Sequence, residues 1–469
     1  MRHFDLVVIG SGSGNTIVDD RFADWDVAIV EKGIGPNGAY GGTCLNVGCI
    51  PTKMFVHTAN LARAPEEAAG FGVDLKLVGT DWAAIRDRIF GRIDPLASGG
   101  ERYRAEEQAN VTVYRGTARF TGVKRLTVET ADGPEEISAD QIVVAAGSRP
   151  AVPHLPGLDE VGYETSDTVM RLERLPERMT ILGGGFIAAE LAHVFSALGV
   201  SVTVVGRSPQ LLRREDGAVS ARFTELAGRR WDLRLGRRAV GVRREKGVVL
   251  LDLEGPDGSE TVASESLLLA LGRVPNSDLI DAKTGGLALT GSGLVEADSR
   301  QRTSVEGVWA LGDISSPYQL KHVANHEARV VQHNLLHPQD PVQSDHRHVP
   351  HAVFSAPPIA SVGLTEEEAR KRGVDYVTAT QEYSGIAYGW AMEEPEGFAK
   401  LLADPDSGEL LGAHIIGPEA PTLLQPLIQA MQFGLDAAAM ARGQYWIHPA
   451  MPELIENALL KLPLRSRAD

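Results

Sequence analysis

At 469 residues the chain has room for about three domains of ordinary size. With 43% hydrophobic and 23% charged residues it can bury a large core without a disulfide scaffold. A net charge of −16 argues against nucleic-acid or anionic-membrane binding, and two cysteines are too few for a secreted framework and point to a reducing, cytoplasmic setting.

The apolar start, Phe4 to Ile9, is too short for a signal peptide and passes directly into a glycine turn. No run of about 18 apolar residues occurs, so no membrane span is expected. The first element is a strand and turn, Asp5-Leu6-Val7-Val8-Ile9-Gly10-Ser11-Gly12-Ser13-Gly14-Asn15. Glycines after a strand let the backbone approach a pyrophosphate, and a helix beginning there adds N–H groups and a positive dipole end. Gly10, Gly12 and Gly14 suit this role with a helix expected to follow, although the usual third glycine position falls on Asn15. The next strand, Val27 to Val30, ends at Glu31, where an acid binds ribose hydroxyls.

Both cysteines follow, in Gly41-Gly42-Thr43-Cys44-Leu45-Asn46-Val47-Gly48-Cys49-Ile50-Pro51-Thr52-Lys53. Two thiols with four residues between them, and none elsewhere, read as a redox pair beside an electron carrier. Zinc needs more ligands than Cys44, Cys49 and His57 supply, so no metal is expected. Lys53 falls on the helix expected to carry Cys49.

A second strand–turn–helix unit spans Met179-Thr180-Ile181-Leu182-Gly183-Gly184-Gly185-Phe186-Ile187-Ala188, with its helix continuing through Glu190. Its fingerprint is Gly183, Gly185 and Ala188, and its second strand is Ser201 to Val205. An acid at the end of that strand favours NAD, whereas a nearby Arg accommodates the 2′-phosphate of NADP. Here Gly206 stands at the strand end and Arg207 and Arg213 follow, so NADPH is expected with these two guanidiniums on its phosphate. Two dinucleotide sites on one chain imply an electron relay, FAD in the first and NADPH in the second. Lys53 is expected to pair with Glu190 beside the flavin.

Two apolar strands end in one repeated pattern, Ala146-Gly147-Ser148-Arg149-Pro150 and Leu271-Gly272-Arg273-Val274-Pro275, each where the chain passes between domains. A third such strand ends at Gly312-Asp313, which places a carboxylate for a flavin ribityl chain. Leu320 to Glu327 opens a helix whose N-terminus suits anionic charge on a reduced flavin. The expected division is 1–150 and 276–345 for an interrupted FAD-binding domain, 151–275 for an NADPH-binding domain, and 346–469 for a C-terminal α+β domain. The fold class is therefore α/β, with two doubly wound nucleotide-binding domains and a third, α+β domain. Near the C-terminus His448 lies between Ile447 and Pro449, with Glu453 placed to orient its imidazole as a base.

These residues together resemble the FAD-dependent pyridine nucleotide–disulfide oxidoreductases, the family of glutathione reductase and dihydrolipoamide dehydrogenase. The resemblance covers nearly the whole chain and rests on Gly42-Thr43-Cys44 to Lys53, both glycine fingerprints, Gly312-Asp313, and His448-Pro449 with Glu453. It implies that Cys44 exchanges with a small-molecule disulfide substrate while Cys49 faces the flavin. It also implies that Gly42, Thr43, Lys53, Gly147, Gly272 and Asp313 lie at the cofactors. A homodimer follows, with 346–469 as its dimerisation domain and the His448–Glu453 pair reaching the thiols of the other subunit. Electrons would pass from NADPH to FAD, to the Cys44–Cys49 disulfide and then to substrate, with His448 protonating the departing thiolate.

Three stretches, Gly10 to Asn15, Leu320 to Glu327 and Trp446 to Ala450, are similar to the branch of the family that acts on mycothiol disulfide, the expected substrate. The alternatives are an NAD-linked dihydrolipoamide dehydrogenase, which normally carries an acid where Gly206 lies, and a non-enzymatic flavin redox sensor, which needs no base near its thiols. Leu462 to Asp469 carries no further cysteine of the kind found in mercuric and large thioredoxin reductases. Gly35 to Tyr40 is longer than the family's usual link from Glu31 to the redox segment.

Overall fold

In the computed structural model, which describes residues 1–465, one strand arrangement occurs twice. In the first, Arg2–Ile9 runs parallel to Val27–Glu31 on one side and to Gly133–Val144 on the other. Val111–Gly122 and Val308–Ala310 flank these strands, also in parallel. Every residue of Val27–Glu31 is buried, as expected where apolar runs form a parallel layer covered on both faces. The far ends of Val111–Gly122 and Gly133–Val144 leave this layer and pair with Arg125–Thr130 as an antiparallel ribbon.

The second arrangement has Arg178–Leu182 between Ser201–Gly206 and Ser266–Leu269, with Asp232–Leu235 and Glu164–Thr165 outside, all parallel. An antiparallel ribbon of Arg238–Glu245, Val248–Gly255 and Gly258–Ser264 accompanies it. The two repeated crossovers are hydrogen-bonded to each other, since Ser148–Pro150 pairs antiparallel with Arg273–Pro275. Arg149 locks the junction through two 2.8 Å bonds to the carboxylate of Asp278.

The helix Cys49–Ala62 packs on the second unit's Phe186–Ala197 helix. Phe55 is fully buried and stacks on Trp82 at 5.2 Å, and Trp82 meets Phe195 at 5.9 Å. Burying one such ring contributes about 1.5–3 kcal/mol, which holds the redox helix against the second nucleotide unit.

The C-terminal part is a five-stranded antiparallel sheet in the order His351–Val353, Ile359–Gly363, Leu410–Ile416, Phe398–Ala403, Val377–Glu382. Helices Ala420–Phe433 and Glu453–Leu460 contribute to its core. The α/β reading with a C-terminal α+β part is borne out; positions 466–469 of the expected last domain lie outside the described residues. Among those described, no helix is long and apolar enough to cross a membrane.

One expectation is corrected. No α-helix follows the first glycine turn, only 3-10 turns at Gly14–Thr16 and Asp20–Phe22. Asp19 spends its side chain capping the Asp20–Phe22 turn, and the carbonyls of Asn15, Ile17 and Val18, which an α-helix would use for its own N–H groups, accept instead from Arg104 and Gln332. The second unit, with 18 residues between its two strands against 17 in the first, forms the full Phe186–Ala197 helix.

Candidate active site

A continuous cleft of about 2360 Å³ runs between the units and is lined by both glycine turns. Their first glycines do the same work. Gly10 has φ +105 and a Cβ there would lie 2.3 Å from the Ala145 carbonyl oxygen; Gly183 has φ +143 and its Cβ would lie 2.1 Å from that of Ala270. Each turn thus folds over the end of a neighbouring strand, leaving bare backbone facing the cleft. Gly42 is equally constrained, since its Cβ would stand 2.7 Å from the Gly12 Cα. Gly12 and Gly185 also line the cleft, while Ala188 is buried behind it. Gly14 takes the third glycine's packing role, because a side chain there would meet Ala145 Cβ at 2.7 Å. These cradles fit two dinucleotides.

Glu31 lines the first cradle and is buried. Its Oε2 accepts from the Ser11 N–H at 2.8 Å and Ser11 Oγ at 2.5 Å, and its Oε1 accepts from the Gly33 N–H at 2.6 Å. Ser11 Oγ in turn accepts from the Gly41 N–H at 2.7 Å, which ties the dinucleotide turn to the redox segment. A carboxylate has about four lone-pair sites, so Glu31 retains acceptor capacity for a ribose hydroxyl. The Gly35 to Tyr40 stretch folds into a tight loop closed by an Ile34–Ala39 bridge and anchored by Arg115 on the Gly38 carbonyl.

In the second cradle Arg207 and Arg213 are exposed at the cleft, with no carboxylate within 4 Å among the described residues. Arg214 lies beside them. Unpaired guanidiniums, and Gly206 in place of an acid, suit the 2′-phosphate of NADP.

Cys44 lies on the short Gly42–Asn46 helix, and Cys49 is the first residue of Cys49–Ala62. Both are free thiols lining the cleft. The Cys44 thiol is pulled down to about 7 by its hydrogen bond with Cys49, aided by the Lys321 charge and the Ile50 N–H and opposed by burial. The Cys49 thiol is pushed up by that same bond and by burial. The first proton therefore leaves the pair near neutrality and the second is held. Lys321 also donates to Ser13 Oγ at 2.8 Å, so one ammonium serves both the turn and the thiols.

The expected Lys53–Glu190 ion pair does not form within 4 Å. Lys53 Nζ sits 3.9 Å above the Phe354 ring, and Glu190 Oε1 accepts from the Phe354 N–H at 2.9 Å. The two share one wall of the cleft through Phe354 instead, and burial pushes the Glu190 carboxyl up to about 7. Thr43, Gly147, Gly272 and Asp313 also line the cleft, and Asp313 Oδ2 accepts from Ser148 Oγ at 2.7 Å.

His448 and Glu453 stand apart from these residues. His448 Nδ1 is 2.7 Å from Glu453 Oε1, the imidazole is 69% exposed, and neither residue lines the cleft. The carboxylate fixes Nδ1–H and leaves Nε2 free for proton transfer. Beside it Tyr445 and Ile447 expose apolar surface, as Phe433 and Trp390 do elsewhere on the C-terminal part. The sequence reading did not single out Arg104, Tyr40 or Ser148. Arg104 lies just past the Trp82–Arg102 helix and its partner Asn15 is 89 positions away, so nothing local marked it.

The model for pyridine nucleotide-disulphide oxidoreductases matches residues 4–328, and that for their dimerisation domain matches 349–459. Mycothione reductase of Mycobacterium tuberculosis is 53% identical, covering 98% of this chain and 100% of that protein. Dihydrolipoyl dehydrogenase of Haloferax volcanii is 34% identical, covering 97% and 96%. Among solved structures, the Cu(II) complex of the HOCl-induced flavoprotein disulfide reductase RclA from Escherichia coli has a TM-score of 0.85 at 28% identity, covering 98% of this chain and 99% of that one.

Proposed function

The chain belongs to the pyridine nucleotide-disulphide oxidoreductase family, and on that premise we propose that it reduces mycothiol disulfide with NADPH, as a cytoplasmic homodimer. The observation that carries the reading is the free Cys44–Cys49 pair set in one cleft between two glycine cradles, the second of them bordered by unpaired arginines. The 53% identity to a mycothione reductase, against 34% to a dihydrolipoyl dehydrogenase, supports the substrate. Gly206 at the strand end favours NADPH over NADH.

FAD and NADPH, when bound, supply the two electrons that open a Cys44–Cys49 disulfide. Gly10, Gly12, Gly42 and Glu31 would hold the first, and Gly183, Gly185, Arg207 and Arg213 would hold the second. Asp313, Lys53 and Glu190 line the same cleft. The Cys44 thiolate attacks one substrate sulfur and forms a mixed disulfide, while the other sulfur leaves as a thiolate and takes a proton from His448 of the partner subunit. Glu453 stabilises that imidazolium. Cys49 then attacks the Cys44 sulfur, releasing the second thiol and restoring the Cys44–Cys49 disulfide. Two electrons and two protons thus convert one disulfide to two thiols.

The domain limits proposed with this reading are 1–150 and 276–345 for FAD, 151–275 for NADPH and 346–469 for dimerisation. The pairing of Ser148–Pro150 with Arg273–Pro275 supports the inner limits. The test is NADPH oxidation with mycothiol disulfide, glutathione disulfide and lipoamide side by side, repeated with NADH. Turnover should be greatest with NADPH and mycothiol disulfide. Preference for NADH and lipoamide would replace this reading with a dihydrolipoyl dehydrogenase, and a protein that takes up no FAD would end it.

A further inference from the structure

The two cradles differ in what stands behind them. Behind Gly185 is a twelve-residue helix whose dipole points at the turn. Behind Gly14 is a single 3-10 turn, too short to offer such a dipole. In its place lies a buried guanidinium. Arg104, on the π-helical turn Tyr103–Glu107, donates Nε–H to Asn15 Oδ1 at 2.9 Å and Nη2–H to the Val18 carbonyl at 2.9 Å. It also donates to the Asn15 carbonyl and to Gln108 Oε1. Tyr40 OH donates to the same Asn15 Oδ1 at 2.9 Å.

Arg104 is 6% exposed, and no carboxylate lies within 4 Å of it among the described residues. The nearest acid on the turn, Asp19, is taken by Arg21 and Gln332. A charge buried without a counterion is costly, and packing alone would be served by an apolar side chain. Burial indeed presses the guanidinium's pKa down. Its hydrogen bonds run toward the turn that would receive an anion. Through Tyr40 they also reach the redox segment, where the Tyr40 carbonyl accepts from Asn46 Nδ2 at 2.8 Å.

We infer that Arg104, acting through Asn15 and Tyr40, is a positioning residue for the FAD pyrophosphate, replacing the missing helix with a fixed cation and a rigid turn. Arg104 does not line the cleft, so it acts through Asn15 and through its field rather than by contact. The inference rests on the flavoprotein reading above.

The test is FAD affinity of stripped and reconstituted protein, read by flavin fluorescence, with melting temperatures of apo and FAD-loaded forms, for wild type, Arg104→Gln, Arg104→Lys and Tyr40→Phe. Arg104→Gln should weaken FAD binding by about tenfold or more, the scale of a lost charge-assisted bond. Arg104→Lys keeps the charge without the fork and should fall between. Tyr40→Phe, a mild change that keeps the ring, should weaken FAD in the same direction. In Arg104→Gln the FAD-loaded form should lose more melting temperature than the apo form. Unchanged FAD affinity in Arg104→Gln, or equal losses in both forms, would overturn the inference. Should Arg104→Gln fail to fold, wild-type affinity in both Arg104→Lys and Tyr40→Phe overturns it equally. A wild-type protein that binds no FAD removes the flavoprotein reading itself.

Discussion

Replacing Gly183 by alanine should close the NADPH site and leave the flavin in place. The added Cβ would stand 2.1 Å from the Ala270 carbonyl oxygen, so that group must retreat by about 0.9 Å to reach the 3.0 Å floor that real Cβ contacts respect. The obstacle is backbone, and Ala270 is held by its own N–H bond to the Leu182 carbonyl at 2.9 Å. At φ +143 alanine adds about 1–3 kcal/mol of strain. A domain of ordinary stability survives that, at about 5–15 kcal/mol, so the variant should fold with its turn displaced. Displacement on the order of 1 Å costs about 10²-fold in a positioned reaction. The assay is anaerobic bleaching of the flavin by NADPH, against the flavin-to-protein absorbance ratio. Gly183→Ala should keep wild-type flavin content and bleach about 10²-fold more slowly at limiting NADPH. Gly10→Ala, with its Cβ 2.3 Å from the Ala145 carbonyl, should instead lose flavin. Wild-type bleaching in Gly183→Ala, or lost flavin in that variant, would refute the assignment of the two cradles.

Alkylation of the NADPH-reduced protein should follow a lowered thiol pKa. Since the Cys44 thiol sits below its ordinary range, its thiolate gains with rising pH through about 7 and is complete above, whereas an ordinary thiol rises near 8.5; a rate still climbing steeply above pH 8 contradicts the pairing. Arg207→Gln and Arg213→Gln should each raise the NADPH KM by about tenfold or more, as loss of a charge-assisted bond predicts, with the NADH KM little changed. An equal rise for both cofactors would remove them from the phosphate. His448→Ala should slow disulfide turnover by about 10²–10⁴-fold while NADPH still bleaches the flavin. Mixing it with Cys44→Ser protein should restore activity that neither variant has alone, and no recovery after demonstrated subunit exchange would count against a shared site.

Much of this was readable because its signals are local. Glycines at Gly10 and Gly183, the alternation of apolar strands and the solitary cysteine pair are statements about neighbouring residues. Where the reading failed, distance was the cause. The absent helix after Gly14 goes with Arg104 and Gln332, 89 and 315 positions from their targets, which take the turn's carbonyls, and Asn15 looks like a flaw in a fingerprint until Arg104 is seen against it. The missing Lys53–Glu190 pair turned on Phe354, 301 positions beyond Lys53, whose ring takes the ammonium and whose N–H takes the carboxylate. Similarly, Glu31 could be assigned to a ribose, but its bonds to Ser11 and Gly33 follow from how the turn closes.

The bond from Lys321 to Ser13 sets a clock on the protein's birth. The first cradle's turn leaves the ribosome early, but the helix that completes it, Lys321–Leu336, follows some 300 residues later, after the entire second unit has been made. At roughly 5–20 residues per second that delay is about 15–60 s, long beside the microseconds in which local helices and hairpins form. During it the Gly10 turn lacks Lys321, Asp313 and the Val308–Ala310 strand of its own sheet. On the proposed reading of the first cradle, the nascent chain has no finished place for a flavin until the residues from Asp313 to Lys321 have been made.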